Sequence, residues 1–186
     1  MDCGNGAGTR INSFALVAYL PEALGEYLDR LRAELVTDCC AKAHLTVLPP
    51  RPLLCPPDEA WQKLNQKLQD VQPFRVELGE IELFPVTQVI YLSVLKGGPE
   101  LERLHVMLNS GCLAFREPFQ FHPHLTLAQG LEPAGVPAAA TLAARRWHDF
   151  PGPRQFTVDH LTFVQNTLEN RWTDLRNIPL STRVPT

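Results

Sequence analysis

Two short segments, 80 residues apart, carry the residues whose types and spacing can do chemistry. Ala43–Leu48 reads AHLTVL and Pro123–Ala128 reads PHLTLA, so each has a histidine followed two positions later by a threonine. The pattern recurs at His160 and Thr162, giving three copies where chance in this composition would give fewer than one. Side chains at i and i+2 of a β-strand project from the same face. His44 with Thr46, and His124 with Thr126, therefore each turn an imidazole and a hydroxyl toward one ligand. An imidazole titrates at about pH 6.5, so of two that share a ligand one accepts a proton while the other donates it. The hydroxyls add hydrogen bonds without adding charge. Paired acid-base catalysis is the chemistry this pattern predicts.

The elements around the two segments repeat. Phe14–Leu20 (FALVAYL) reads as a buried strand, and after Pro21 the residues Leu24, Leu28, Leu31 and Leu35 fall at helical spacing. Ala43–Leu48 reads as a strand halted by Pro49-Pro50. Asp58 then caps a helix with Trp61, Leu64, Leu68 and Val71, and Phe74–Phe84 alternates as a strand with a bulge at Gly79. The order restarts with a strand at Val89–Leu95, a helix at Glu100–Cys112, a strand at His124–Ala128, a helix at Ala138–Trp147 and a strand at Phe156–Val164. Phe74 follows His44 by 30 residues and Phe156 follows His124 by 32, a shared ruler that indicates internal duplication. The expected fold is α+β and bilobal: two antiparallel sheets about a pseudo-twofold axis, helices outside, a central cleft between. One domain, residues 1–186, would hold lobes of roughly 11–85 and 86–180, with termini exchanging between them. The same ruler sets His160 opposite Glu80 rather than His44, so His160 is expected to be a structural or surface residue. Residues 166–186 are polar, with Trp172 and Leu175 as packing anchors.

Composition narrows the function. The chain has 186 residues, 45% hydrophobic and 20% charged, which suits one compact domain. A net charge of −3 and a pI near 6.1 exclude an extended basic surface for duplex nucleic acid, so a nucleic-acid partner is expected to be small or bound by its end. No apolar run reaches the roughly 18 residues of a membrane span, and Met1–Arg10 carries no signal-like hydrophobic region. A cytoplasmic monomer without membrane attachment is the expectation. The five cysteines form an odd set without a CxxC, so reduced thiols are expected, and Cys39-Cys40 is assigned no catalytic role.

The paired HLT motifs, their separation and the duplicated order of elements resemble the two-histidine (2H) phosphoesterases, in the 2′-5′ RNA ligase-like and cyclic-nucleotide phosphodiesterase branch. The resemblance spans most of the chain. It implies a bilobal fold and a site without metal or other cofactor, with His44 and His124 as acid and base and Thr46 and Thr126 holding phosphate oxygens. It implies a cyclic phosphate nucleotide or an RNA 3′ end as partner, opened to a monoester, and leaves 2′-5′ ligation open as the reverse type of chemistry. Members often place a basic residue just after the second motif, where this chain has Gln129. The chemistry of the residues agrees with the family. In-line displacement at phosphorus needs a base for the attacking water and an acid for the leaving oxygen, and a strained 2′,3′-cyclic phosphodiester needs both. The rival is a module that binds nucleotides or RNA ends in the same cleft without turnover, which the presence or absence of hydrolysis distinguishes.

Lys42 shares the face of His44, and Arg51 follows the Pro49-Pro50 turn. Either would add positive potential at the cleft rim, or lie on solvated surface. Tyr91, Phe115, Phe119 and Phe121 could stack on a base or pack in core and loops. His122 with His124 would make two metal ligands on one strand face, but no companion ligand follows at a suitable spacing, so no metal is expected. Arg145-Arg146 closes a helix and complements its dipole, His105 reads as a packing residue, and His148 as part of a loop.

Overall fold

The computed structural model describes residues 8–37 and 41–181. In chain order the elements are β1 (Arg10–Tyr19), α1 (Glu22–Leu35), β2 (His44–Arg51), α2 (Pro57–Leu68), β3 (Phe74–Leu83), β4 (Ile90–Lys96), α3 (Gly98–Leu108), β5 (His124–Ala128), α4 (Val136–His148), β6 (Gln155–Val158), β7 (His160–Thr167) and β8 (Trp172–Pro179). They build two four-stranded antiparallel sheets, ordered β2-β1-β7-β8 and β5-β4-β3-β6. The edge strands β2 and β5 adjoin. This is the α+β architecture of two antiparallel sheets that the duplicated sequence predicts.

The sheets are not the sequence halves. β3, from the first half, pairs with β4 and β6, while β7 and β8 return from the second half to β1. The helices cross as well, with α1 packed on β5 and α3 on β2. Phe156–Val164, read as one strand, is two strands that belong to different sheets. Within the polar C-terminal segment, Trp172–Pro179 forms β8, with Trp172 opposite Asn166.

Local chemistry accounts for the other differences. Pro49-Pro50 does not halt β2, because an edge strand has one side free of ladder bonds and tolerates residues without an N–H. Asp58 does not cap α2: Pro57 opens the helix with its φ already set, and Asp58 sits in the first turn, where its charge complements the dipole. The third helix stops at Leu108, and Gly111–Leu113 is a separate 3₁₀ turn. His148 lies in the last turn of α4, not in a loop. Gly79 does sit at an irregularity of the β3–β4 register, and its carbonyl accepts the indole N–H of the fully buried Trp147 at 2.7 Å.

Arg51 is neither solvated nor at a cleft rim. It ends β2, seven residues from His44 and so about 20 Å away along the strand. Its side chain is 1% exposed, ion-paired to Glu117 and bonded to Asn109 Oδ1 at 2.8 Å and to the Leu113 carbonyl at 3.1 Å. His105, also buried, adds an Nδ1 contact of 2.9 Å to the Val47 carbonyl and stacks on Phe121 at 3.9 Å. The segment from α3 to β5 is thus tied to β2 by polar groups as well as by the apolar packing of Leu108, Cys112 and Leu113. Phe115 and Phe119, expected to stack or pack, remain 36% and 61% exposed. The cysteine expectation is corrected too: Cys55 and Cys112 form a disulfide across 57 residues, with Cα atoms 5.6 Å apart. Only the fold makes these two neighbours. Cys3, Cys39 and Cys40 lie outside the described residues.

Removing one member of a buried ion pair leaves the other charged and desolvated. Arg51→Met should therefore lower unfolding stability by about 3–5 kcal/mol, and Arg51→Met with Glu117→Gln should lose markedly less. Urea unfolding of the two variants checks this; a single variant within about 1 kcal/mol of wild type would show that the network does not hold the loop.

Candidate active site

The strand period that buries one face of β2 and β5 leaves the other only half-buried. Leu45 and Val47 on β2, and Leu125 and Leu127 on β5, are 0–1% exposed in the core, while His44, Thr46, His124 and Thr126 alternate with them and are half-buried on the opposite face. Across the ladders His44 faces Tyr19 and Thr46 faces Val17. In the other sheet His124 faces Ser93 and Thr126 faces Tyr91. Because β2 and β5 adjoin, the two His-x-Thr pairs stand side by side at the junction of the sheets.

Both imidazoles are fixed in the same way. Nδ1 of His44 lies 2.6 Å from the Lys42 carbonyl, and Nδ1 of His124 lies 2.6 Å from the His122 carbonyl. A carbonyl oxygen only accepts, so Nδ1 carries a proton in each ring and Nε2 is the nitrogen left to take up or give one. The two rings thus present the same nitrogen to the site.

Their surroundings differ. Beside His44 the ring of Tyr19 stands edge-on at 6.4 Å, its hydroxyl donating to Asp174 at 2.6 Å. The Lys42 ammonium lies 5.5 Å from the Tyr19 ring centroid. Ala15, Val17 and Val164, with Tyr19 and Trp172, make a small apolar patch on this side. Beside His124 stand Phe84 at 5.0 Å and Tyr91 at 5.4 Å, the two stacked on each other at 4.0 Å. The Tyr91 hydroxyl donates to Glu82 at 2.8 Å, and burial together with that carboxylate pushes its pKa up to about 12.

Burial, which penalises the charged ring, lowers the pKa of His44 to about 4 against the help of the Lys42 carbonyl, and the positive charges of Arg32 and His124 act in the same downward direction. Burial also lowers that of His124, opposed by its bond to the His122 carbonyl and reinforced by the charge of His122.

Of the residues singled out in the sequence, His44, Thr46, His124 and Thr126 come together, Lys42 stands next to them, and Arg51 does not join them. Tyr91 is there but 5% exposed beneath Phe84, so it supports a ring wall rather than offering a free face. Sequence reasoning missed Phe84, Tyr19 and, behind His44, the α1 residues Asp29 and Arg32. Phe84 ends an alternating strand and Tyr19 sits two residues after Val17 on the face of Thr46; the strand pattern held that signal. His122 is exposed near Phe84 at 5.5 Å. His160, whose Nδ1 meets Asp159 at 2.6 Å, is held by a carboxylate instead of a carbonyl.

The family model of the 2′-5′ RNA ligase superfamily matches residues 18–170, a span that contains both His-x-Thr strands and the residues around them. The chain belongs to this superfamily. A Bacillus anthracis protein named as a phosphoesterase is 34% identical over 140 residues, covering 70% of this chain and 78% of that one. A similarly named protein of Geobacillus sp. (strain WCH70) is 34% identical over 98 residues, covering 48% and 56%. E. coli LigT complexed with 3′-AMP superposes with a TM-score of 0.63 at 20% identity, covering 95% of this chain and 99% of LigT, which shows the fold in common. The superfamily and these relatives make the chain a phosphoesterase-family protein.

The depressed pKa of His44 has a consequence for stability. Above pH 6.5 the ring is neutral in both folded and unfolded chains and adds no pH dependence. As pH falls from 6.5 toward 4, the unfolded chain takes up a proton that the folded chain refuses, so stability is lost across that window. The melting temperature of His44→Asn should fall less between pH 7 and pH 4.5 than that of wild type. Parallel curves over that range would contradict the burial of the ring as the cause.

Proposed function

We propose that the protein is a cofactor-independent phosphodiesterase that opens 2′,3′-cyclic phosphates of nucleotides or RNA ends to a monoester. The observation that carries this reading is the mirrored pair of imidazoles, each anchored through Nδ1 to a backbone carbonyl, each with a threonine hydroxyl on its own strand face. His44, with the lower pKa, is the base: it stays neutral and takes a proton from the attacking water through Nε2. His124, charged more readily, gives its proton to the ribose oxygen that leaves phosphorus. Thr46 and Thr126 donate to the nonbridging oxygens, whose charge grows in the transition state. Lys42 adds a cation at the edge of the site, the nearest equivalent to the basic residue that Gln129 does not supply. Support for the ligand class comes from E. coli LigT, solved with 3′-AMP, with ATP, with NADP+ and with phosphate.

Either histidine changed to alanine should cost about 10²–10⁴-fold in kcat, and either threonine changed to alanine about 10–10³-fold, with His160→Ala as a near-neutral control. An aryl phosphodiester, whose leaving group needs no proton, should restore turnover to His124→Ala but not to His44→Ala. Rescue of the opposite variant would exchange the two roles. A wild-type chain that binds cyclic and opened nucleotides alike and hydrolyses neither would replace the enzyme with a binding module.

The pH profile follows from the two shifts. Activity rises as His44 loses its proton, at about pH 4, and falls as His124 loses its own below the ordinary imidazole value of about 6.5. The bell in kcat/KM should therefore be centred on the acid side of neutrality. An anionic phosphate in the site favours the protonated ring, so the alkaline limb of kcat should lie above that of kcat/KM.

A further inference from the structure

Arg32 is an unusual tenant of the buried face of α1. It lies among Leu24, Leu28, Leu31 and Leu35 and is itself 7% exposed, a burial that arginine tolerates only with dedicated partners. Its Nη1 donates to the Ala41 carbonyl at 2.5 Å and lies 3.9 Å from Oδ1 of Asp29, one turn earlier. That same Oδ1 accepts the N–H of Ala43 at 2.5 Å. Lys42, between these two anchors, receives the Nδ1–H of His44 on its carbonyl. The three residues before His44 are tied in succession to a guanidinium, to the imidazole and to a carboxylate.

The second half lacks this device. His124 makes the same bond to the His122 carbonyl, but among the described residues no charged side chain of a helix holds the backbone of 121–123. Phe121 is kept there by stacking on His105. The duplicated strands match in their histidines and differ in what stands behind them.

We propose that Asp29 and Arg32 are positioning residues for His44: they lock residues 41–43 so that the ring presents Nε2 to the ligand, and Arg32 sets a permanent positive charge behind this histidine alone. The proposal rests on the reading of His44 as the base. A guanidinium does not deprotonate in a protein, so its charge favours the neutral ring at every working pH, while the locked carbonyl keeps the proton on Nδ1. The groups that face His44 are Arg32 and Asp29 from α1, Tyr19 of β1 with Asp174 of β8 behind its hydroxyl, Lys42 on the approach to β2, and His124 of β5. Among them the charges of Arg32 and His124 oppose a proton on His44, and the Lys42 carbonyl favours it. Of the two opposing charges, only that of Arg32 is fixed.

The test titrates the imidazoles of the full chain by NMR without substrate, in wild type, Arg32→Met, Arg32→Lys and Asp29→Ala, and measures the pH profile of each on a 2′,3′-cyclic nucleotide. Arg32→Met should raise the His44 midpoint by about half a pH unit or more and leave that of His124 in place. Arg32→Lys, which keeps the charge, should stay near the wild-type midpoint. Asp29→Ala should reduce the Nδ1–H share in the ¹⁵N signals of His44 and lower kcat about tenfold with KM nearly unchanged. Unaltered midpoint and tautomer in both Arg32→Met and Asp29→Ala would overturn the proposal, as would a shift in Arg32→Lys equal to that in Arg32→Met. Should Arg32→Met not fold, the tautomer signal in Asp29→Ala decides. Because the titrations need no turnover, a chain that opens no cyclic phosphodiester yet shows these shifts would refute the proposed reaction and leave the positioning intact.

Discussion

Strands β2 and β5 share no backbone hydrogen bond among the described residues, yet in the proposed reaction the imidazoles they carry act on one ligand. What holds them together is behind them. Leu45, Val47, Leu125 and Leu127 enter one common core, with α3 packed on β2 and α1 on β5. At roughly 1.5–3 kcal/mol for each fully buried aliphatic side chain, four of them contribute an amount comparable to the whole net stability of a domain. The two edges cannot drift apart without exposing that surface. Geometry at the site is therefore secured by the side of each strand that never meets the ligand.

The choice of partner for each ring follows the same logic. A carboxylate on Nδ1 would orient the imidazole but also stabilise its charged form. A backbone carbonyl orients it with far less pull on the proton. His44 and His124 both take the carbonyl, and His160, in the third HLT copy, takes the carboxylate of Asp159. The three copies look identical in sequence and differ in what holds the ring.

The pairing of His44 with His124, the faces of their strands and the two-sheet architecture were legible because all three rest on periodicity, which a sequence displays directly. The split of Phe156–Val164 between sheets was not, since Asp159 marks no turn and both pieces alternate alike. Arg51 beside two prolines looked like a loop residue, and only the arrival of Asn109 and Glu117, from 58 and 66 residues away, offsets the cost of its burial. Asp29 and Arg32 hid for a related reason: on a helix rich in charges, nothing local distinguishes the buried Arg32 and its neighbour Asp29 from the four-residue pairs on the outer face, such as Glu26 with Arg30. Cys55 and Cys112 became neighbours by the same long-range route.

The exchange of β3 for β7 and β8, together with the crossed packing of α1 and α3, bears on how the chain reaches this state. Neither residues 8–85 nor residues 86–181 contain a complete sheet, and a nascent first half leaves β1 and β2 without the strands that finish their sheet until β7 and β8 emerge. Such long-range pairings delay the rewarding contacts until large loops have closed. A cut between residues 85 and 86 would therefore separate β1 and β2 from β7 and β8, and β3 from β4 and β6, leaving each fragment with strands whose partners lie in the other.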